Sequence, residues 1–274
     1  MCRFCVEHGD GKKWYLQASS YAAELSADLK RRGYMVGFLR DFDRNRRRAL
    51  TAAELLDAAP RLIADPLRRR FSRRMQRTHF GQPVPIEECE RIFDLATSIV
   101  NVPCPCRTFA GGREEGYCLL VTTAPVDDGL LAEAYRGYGS GPDVSAFQRL
   151  TKAEGVALLR RCETQGLMHS VWTFLTPFIG AICNCNLDSG CLAMRLTVGH
   201  GAKLMWKGES VARVDASACT GCGSCAAICP FKAIDAAVSG VAVRQADCWG
   251  CGVCRAACGP GAISLQERPA TAGW

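Results

Sequence analysis

Cys219, Cys222, Cys225 and Cys229 follow one another as C-x2-C-x2-C-x3-C, and Cys248, Cys251, Cys254 and Cys258 repeat that spacing. The pattern suits cubane [4Fe–4S] clusters: three closely spaced thiolates wrap one cube and the fourth is thrown across to the other. The expected ligand sets are therefore Cys219, Cys222, Cys225 and Cys258 for one cluster, and Cys248, Cys251, Cys254 and Cys229 for the second. Gly221, Gly223, Gly250 and Gly252 lie between the cysteines, where tight turns can aim backbone N–H groups at sulfur. Two complete runs are far more specific than a lone C-x-x-C, which sets aside a pair of zinc knuckles or a disulfide framework.

The two runs belong to a longer repeat. Residues 219–234 and 248–263 also match at both glycines, at Ala233 and Ala262, and at Ile234 and Ile263, as expected of two similar units packed about a pseudo-twofold axis. On these residues, segment 211–265 resembles the two-[4Fe–4S] bacterial-type ferredoxins. One departure is visible: Pro230 follows Cys229 directly, whereas Gly259 separates Cys258 from Pro260. It removes no ligand.

Ten of the 18 cysteines remain. Cys104 and Cys106 stand in PCPCR, Cys183 and Cys185 in ICNC, and Cys191 follows six residues later. Five soft ligands on two C-x-C segments could converge on a third iron–sulfur cluster or a zinc ion, or could be partly buried thiols. Cys118 and His169 are candidate additions. Arg107 adjoins the first pair and would suit an anionic cluster or ligand. An unperturbed imidazole titrates near neutrality, so His169 could deliver protons, and His169 and Arg107 are the candidate catalytic residues. Cys2, Cys5 and His8 could form half of a further metal site. PCPCR, Cys118, GLMH, ICNC and the two terminal runs together resemble a group of dicluster iron–sulfur proteins of undefined function. That resemblance implies an N-terminal site without naming a reaction.

These residues need elements to hold them. Apolar spacing predicts a helix over 14–32 stopped by Gly33, a short helix over 51–59, a basic helix over 67–78 and a helix over 86–100. Asp41, Asp43 and Asn45 imitate the start of a calcium loop, but Arg46 replaces its glycine and Ala52 its closing glutamate. Pro83 and Pro85 read as a linker. Prolines on both sides of Cys104 predict an extended segment there. Strands are expected over 117–123 and around His169, helices over 128–136 and 151–165, and a glycine-rich loop over 137–141. A helix ending at Met194 would place Cys191 near its N-terminus, and 203–214 reads as a hairpin turning at Lys207 and Gly208.

The expected class is α+β: a mainly helical or α/β cysteine-containing N-terminal part, followed by a two-cluster ferredoxin-like domain. The division is a helical, Arg-rich region 1–85, an α/β domain 86–210 carrying the C-x-C motifs, the cluster domain 211–267 and a tail 268–274. The net charge of +7 gathers in arginines between residues 40 and 77. They form either a solvated face or a dock for an acidic redox partner or an anionic membrane surface. Nucleic acid is disfavoured, since no recognised binding motif accompanies them. No signal peptide or spanning run is read, and so many thiols point to a reducing cytoplasm. Three functions fit: an electron-transfer protein or redox subunit, an oxidoreductase with a small-molecule substrate at the N-terminal site, or a cluster-handling or redox-sensing protein. No dinucleotide fingerprint or Walker motif is present.

Overall fold

Strand alternation builds the centre of the N-terminal part. In YCLLVTT, Cys118 and Leu120 point to one side, Leu119 and Val121 to the other. A computed structural model describes residues 13–111, 116–126, 128–136, 147–237 and 240–268. The described residues begin with two 3-10 turns, Trp14–Leu16 and Ala18–Tyr21. Helices α1 (Ala23–Ala27), α2 (Leu29–Arg40), α3 (Phe42–Ala58) and α4 (Arg61–Thr78) follow. Next come β1 (Gly81–Pro83), α5 (Ile86–Leu95), β2 (Ser98–Pro103), α6 (Pro105–Gly111), β3 (Gly116–Thr122), α7 (Asp128–Ala134) and β4 (Gln148–Leu150). Helix α8 (Lys152–Thr164), β5 (Met168–Thr173), β6 (Ile179–Cys185) and the short α9 (Leu192–Met194) complete this part. Then come β7 (Ser210–Val214), α10 (Ser224–Ile228), β8 (Ile234–Ala237), β9 (Gly240–Val243), α11 (Val253–Ala256) and β10 (Ile263–Glu267).

Strands β1 to β6 form one antiparallel sheet in the order β1-β5-β6-β3-β2-β4. One face carries Ile99, Leu119, Val121, Val171 and Ile182, which pack under α5 and α8 through Cys89, Ile92, Phe93, Leu158 and Leu159. Helix α8 is set by a full capping box in which Thr151 and Glu154 satisfy each other's backbone. Trp14, Tyr15 and Tyr21 join that same core, and β1 pairs with β5, so residues 14–83 are built into the sheet layer. The opposite face presents Val100, Val102, Cys118, Ala181 and Cys183 toward α2, α6 and α7. The molecule thus mixes helices and strands as α+β.

Several local expectations change. Segment 14–32 is no single helix, and Gly33 lies inside α2, with open space where a Cβ would stand. The helix expected over 86–100 ends at Leu95, because Ile99 and Val100 enter β2 and pair with β3 and β4. Pro83 belongs to β1 rather than to a linker. Pro105 does not hold its segment extended: it begins α6, a position where its missing N–H costs nothing. Segment 203–214 makes no hairpin, since Met205 bridges to Gly81 while β7 pairs with β10. Cys2, Cys5, His8 and the 137–141 loop lie outside the described residues.

Candidate metal centres

The C-terminal repeat is visible in the backbone. Gly221 and Gly223 have φ of 69° and 74°, and Gly250 and Gly252 have 74° and 81°. Each second glycine caps the following short helix in a left-handed conformation. Strand β7 pairs with β10 and β8 with β9, so each half contributes to both hairpin-like ladders. The backbone N–H of Ala233 donates to Cys229 Sγ at 3.4 Å, and Ala262 repeats the contact to Cys258 Sγ at 3.2 Å. Cysteines of the two runs lie near one another across the repeat. Cys219, Cys222, Cys225 and Cys258 line one small pocket with Val214, Val241 and Ile263. Cys251 and Cys254 neighbour Cys229 and Cys248, and burial drives the Cys254 thiol up to about 12.

The two sets differ in exposure. In the first set Cys222 is exposed, Cys219 and Cys258 are half-buried and Cys225 is buried, whereas Cys229, Cys248, Cys251 and Cys254 are all buried. Phe231 stacks on Trp249 beside the buried set, with centroids 4.8 Å apart and planes 9° apart. That set also belongs to a continuous apolar core containing Met168, Cys185, Cys191 and Met194. The unit is tied to α5 by Arg255–Glu87 at 2.7 Å, and buried Arg268 braces its own strands and second cysteine run by donating to the carbonyls of Gly208, Ser210 and Cys248.

In the N-terminal part, six sulfurs lie in an unbroken row. Cys183 meets Cys118 at 3.7 Å, Cys118 and Cys106 both hydrogen-bond to Cys104, Cys106 to Cys191, and Cys191 to Cys185. Elements from distant segments bring them in: β2 leads to Cys104, α6 carries Cys106, β3 carries Cys118, β6 carries Cys183 and Cys185, and Cys191 caps α9. Cys104 also accepts from the backbone N–H of Arg107, and Cys191 from that of Met194. Hydrogen bonds from Cys106 and Cys118 pull the Cys104 thiol down, while donation to Cys104 pushes Cys106 and Cys118 up. A metal binding here would have to displace the remaining protons. All six line an apolar cavity of about 350 Å³ walled by aromatic residues including Phe38, Trp172, Phe174 and Phe178. Among the described residues, no three His, Cys, Asp or Glu side chains are set around a point fit for a single metal ion. Cys89 and Cys162, by contrast, are ordinary core thiols under α5 and α8, and burial drives Cys162 up to about 12.

Comparison with known families bears on the C-terminal unit. Residues 212–235 match the family model of the 4Fe-4S binding domain. This unit is an iron–sulfur domain. The match spans the first four-cysteine run, and the donor chemistry fits at least one [4Fe–4S] cluster. No curated protein matches the chain.

The sheet separates His169, one of the two candidate catalytic residues, from the thiol row. His169 is 0% exposed and alternates with Ser170, and it is Ser170 that pairs with Cys183. The imidazole therefore lies on the α5–α8 face, with Nδ1 2.6 Å from Asn184 Oδ1 and Nε2 3.8 Å from Glu163 Oε1. Arg107 has its backbone at Cys104, but its guanidinium stacks over Tyr117 at 4.2 Å and donates to Asn184 O at 3.4 Å. His169 and the Arg107 guanidinium thus meet through Asn184, while the positive charge of Arg107 also helps to pull the Cys104 thiol down. Cys118 joins the site as the directly paired partner of Cys183, a placement set by the strand register.

Proposed function

We propose that this protein carries single electrons between a redox partner and an N-terminal thiol site. Cys219, Cys222, Cys225 and Cys258 would hold an outer [4Fe–4S] cluster, and Cys248, Cys251, Cys254 and Cys229 an inner one. The row from Cys104 to Cys191 would hold a third metal centre. Clusters bound at such thiolates supply one-electron transfer, at potentials set by burial and by hydrogen bonds to sulfur.

The observation that carries this reading is the gradient of exposure. The outer set reaches solvent at Cys222, the inner set is buried, and the inner set shares one apolar core with Cys185 and Cys191. Among the described residues the outer set offers a partner its exposed edge at Cys222, and the core leads from the inner set toward the N-terminal thiols. Around the buried set, Phe231 and Trp249 exclude water, and Ala212 N–H donates to Cys248 Sγ at 3.4 Å. For the third centre, a cluster suits the six thiols better than zinc, because they are strung along a cavity wall instead of closing tetrahedrally on one point. The exposed arginines of α4, including Arg61, Arg69, Arg70 and Arg73, offer a dock for an acidic redox protein.

A second reading is favoured by the cavity. Its volume of about 350 Å³ falls in the range of small-molecule sites, and its aromatic walls would select an apolar substrate. On that reading the thiol site performs a reduction or oxidation and the C-terminal domain feeds it. The 18 cysteines support a reducing compartment for either activity.

Iron and acid-labile sulfide per chain, measured after anaerobic purification, test the proposal. About twelve of each are expected with a third four-iron cluster, and about eight would limit the protein to two. Fewer than about eight would remove the two-cluster assignment itself.

A further inference from the structure

The N-terminal row contains six thiols, and a [4Fe–4S] cluster takes four. The structure divides the six unequally. Cys104, Cys106, Cys185 and Cys191 sit at strand ends and helix starts. Such turn positions resemble those of Cys229 and Cys258 in the iron–sulfur domain, which follow a short helix and precede a strand. Cys118 and Cys183 differ. They lie within regular strands, as directly paired residues of β3 and β6, with sulfurs 3.7 Å apart. Directly opposed antiparallel residues have Cα atoms about 4.5–5.5 Å apart, inside the span that a disulfide bridges. Closing that gap needs rotation of side chains and little movement of backbone. Cys183 retains solvent-accessible surface, and both sulfurs line the 350 Å³ cavity, so a small molecule there can reach them.

We propose that Cys118 and Cys183 form a redox-active dithiol/disulfide couple on the cavity wall, exchanging with a low-molecular-weight disulfide, while Cys104, Cys106, Cys185 and Cys191 hold the third centre. The assignment of those four rests on the function proposed above; the couple does not. In the exchange, one cysteine thiolate attacks a sulfur of the external disulfide and releases one thiol, leaving a mixed disulfide. The second cysteine attacks that mixed disulfide and releases the other thiol. One external S–S bond breaks and one internal S–S bond forms. Two electrons and two protons pass from Cys118 and Cys183 to the two released thiols. The couple therefore works in steps of two electrons, beside centres that work in steps of one.

The test uses the anaerobically purified holoprotein, the small uncharged bis(2-hydroxyethyl) disulfide as probe, alkylation of remaining thiols, and peptide mass analysis alongside iron content. The expected result is a peptide linking Cys118 to Cys183, with iron unchanged. Cys118→Ser and Cys183→Ser should each abolish the link and keep wild-type iron. Absence of the link in the wild-type protein overturns the couple. So does loss of about a third of the iron in either variant, because that would make the pair cluster ligands. Should Cys118→Ser not fold, Cys183→Ala and the wild-type linkage still decide. A link formed in a protein holding only about eight irons would support the couple and remove the third centre instead.

Discussion

His169 and Asn184 face each other across β5 and β6, with the imidazole Nδ1 2.6 Å from the carboxamide Oδ1. Asn184 Nδ2 donates to Tyr117 O at 2.8 Å, which turns its oxygen toward the ring and assigns the ring proton to Nδ1. Nε2 is then a bare acceptor without a hydrogen-bond partner, on the side of Glu163. The imidazole is held neutral, and the sheet keeps it from the thiols.

This arrangement makes stability depend on pH with a defined sign. Burial pushes His169 down to about 4, against 6.5 for a free imidazole. Between those values the unfolded chain binds a proton that the folded chain refuses, so stability falls as pH drops from 6.5 to about 4, by about 3 kcal/mol. Glu163 opposes it. Burial raises its carboxyl from 4.5 to about 7, so its contribution is full below 4.5 and is lost as pH rises to about 7. His169→Gln should flatten the acid limb of the melting-temperature profile, and Glu163→Gln should steepen the rise of stability with pH. Profiles parallel to wild type would contradict the assignment.

The two halves of the iron–sulfur domain should respond unequally to the same change. A Cβ on Gly221 meets nothing within 4 Å, whereas on Gly250 it would stand 2.2 Å from Ser210 O. Gly221→Ala should cost only the left-handed backbone penalty, about 1–2 kcal/mol. Gly250→Ala must also displace β7 from the buried cysteines, so its thermal midpoint should fall further and its iron content should drop. Equal midpoints would show that Ser210 yields freely.

Much of this was legible in the chain, and the failures have physical causes. The eight terminal cysteines are local patterns whose spacing is readable directly, and the first run is matched as a 4Fe-4S binding domain. The strand character of Cys118 was equally local. Its meeting with Cys183 was not, because register between strands 65 residues apart has no local signal. The same lack of register hid which face of β5 turns His169 away from sulfur. Ile99 and Val100 continue the helical spacing of α5, yet pairing on both sides draws them into β2. Pro105 reads as a breaker from its flanks and acts as a helix start because the chain turns just before it.

The arginine-rich helix gives a kinetic prediction. Arg69 and Arg73 are exposed on α4. Reversing both to Glu should slow reduction by an acidic electron donor roughly tenfold at low ionic strength and remove most of the salt dependence. Melting temperature should hardly change. Stopped-flow reduction across a salt series measures this, and an unchanged rate would leave α4 as a solvated face only.

The central claim is that the N-terminal thiols form a metal centre separate from the iron–sulfur domain. The direct measurement is iron and acid-labile sulfide in the Cys104→Ser/Cys106→Ser double variant, purified anaerobically beside wild type. The account predicts a fall from about twelve to about eight of each per chain, with the two C-terminal sites intact. Equal iron in both proteins would contradict it.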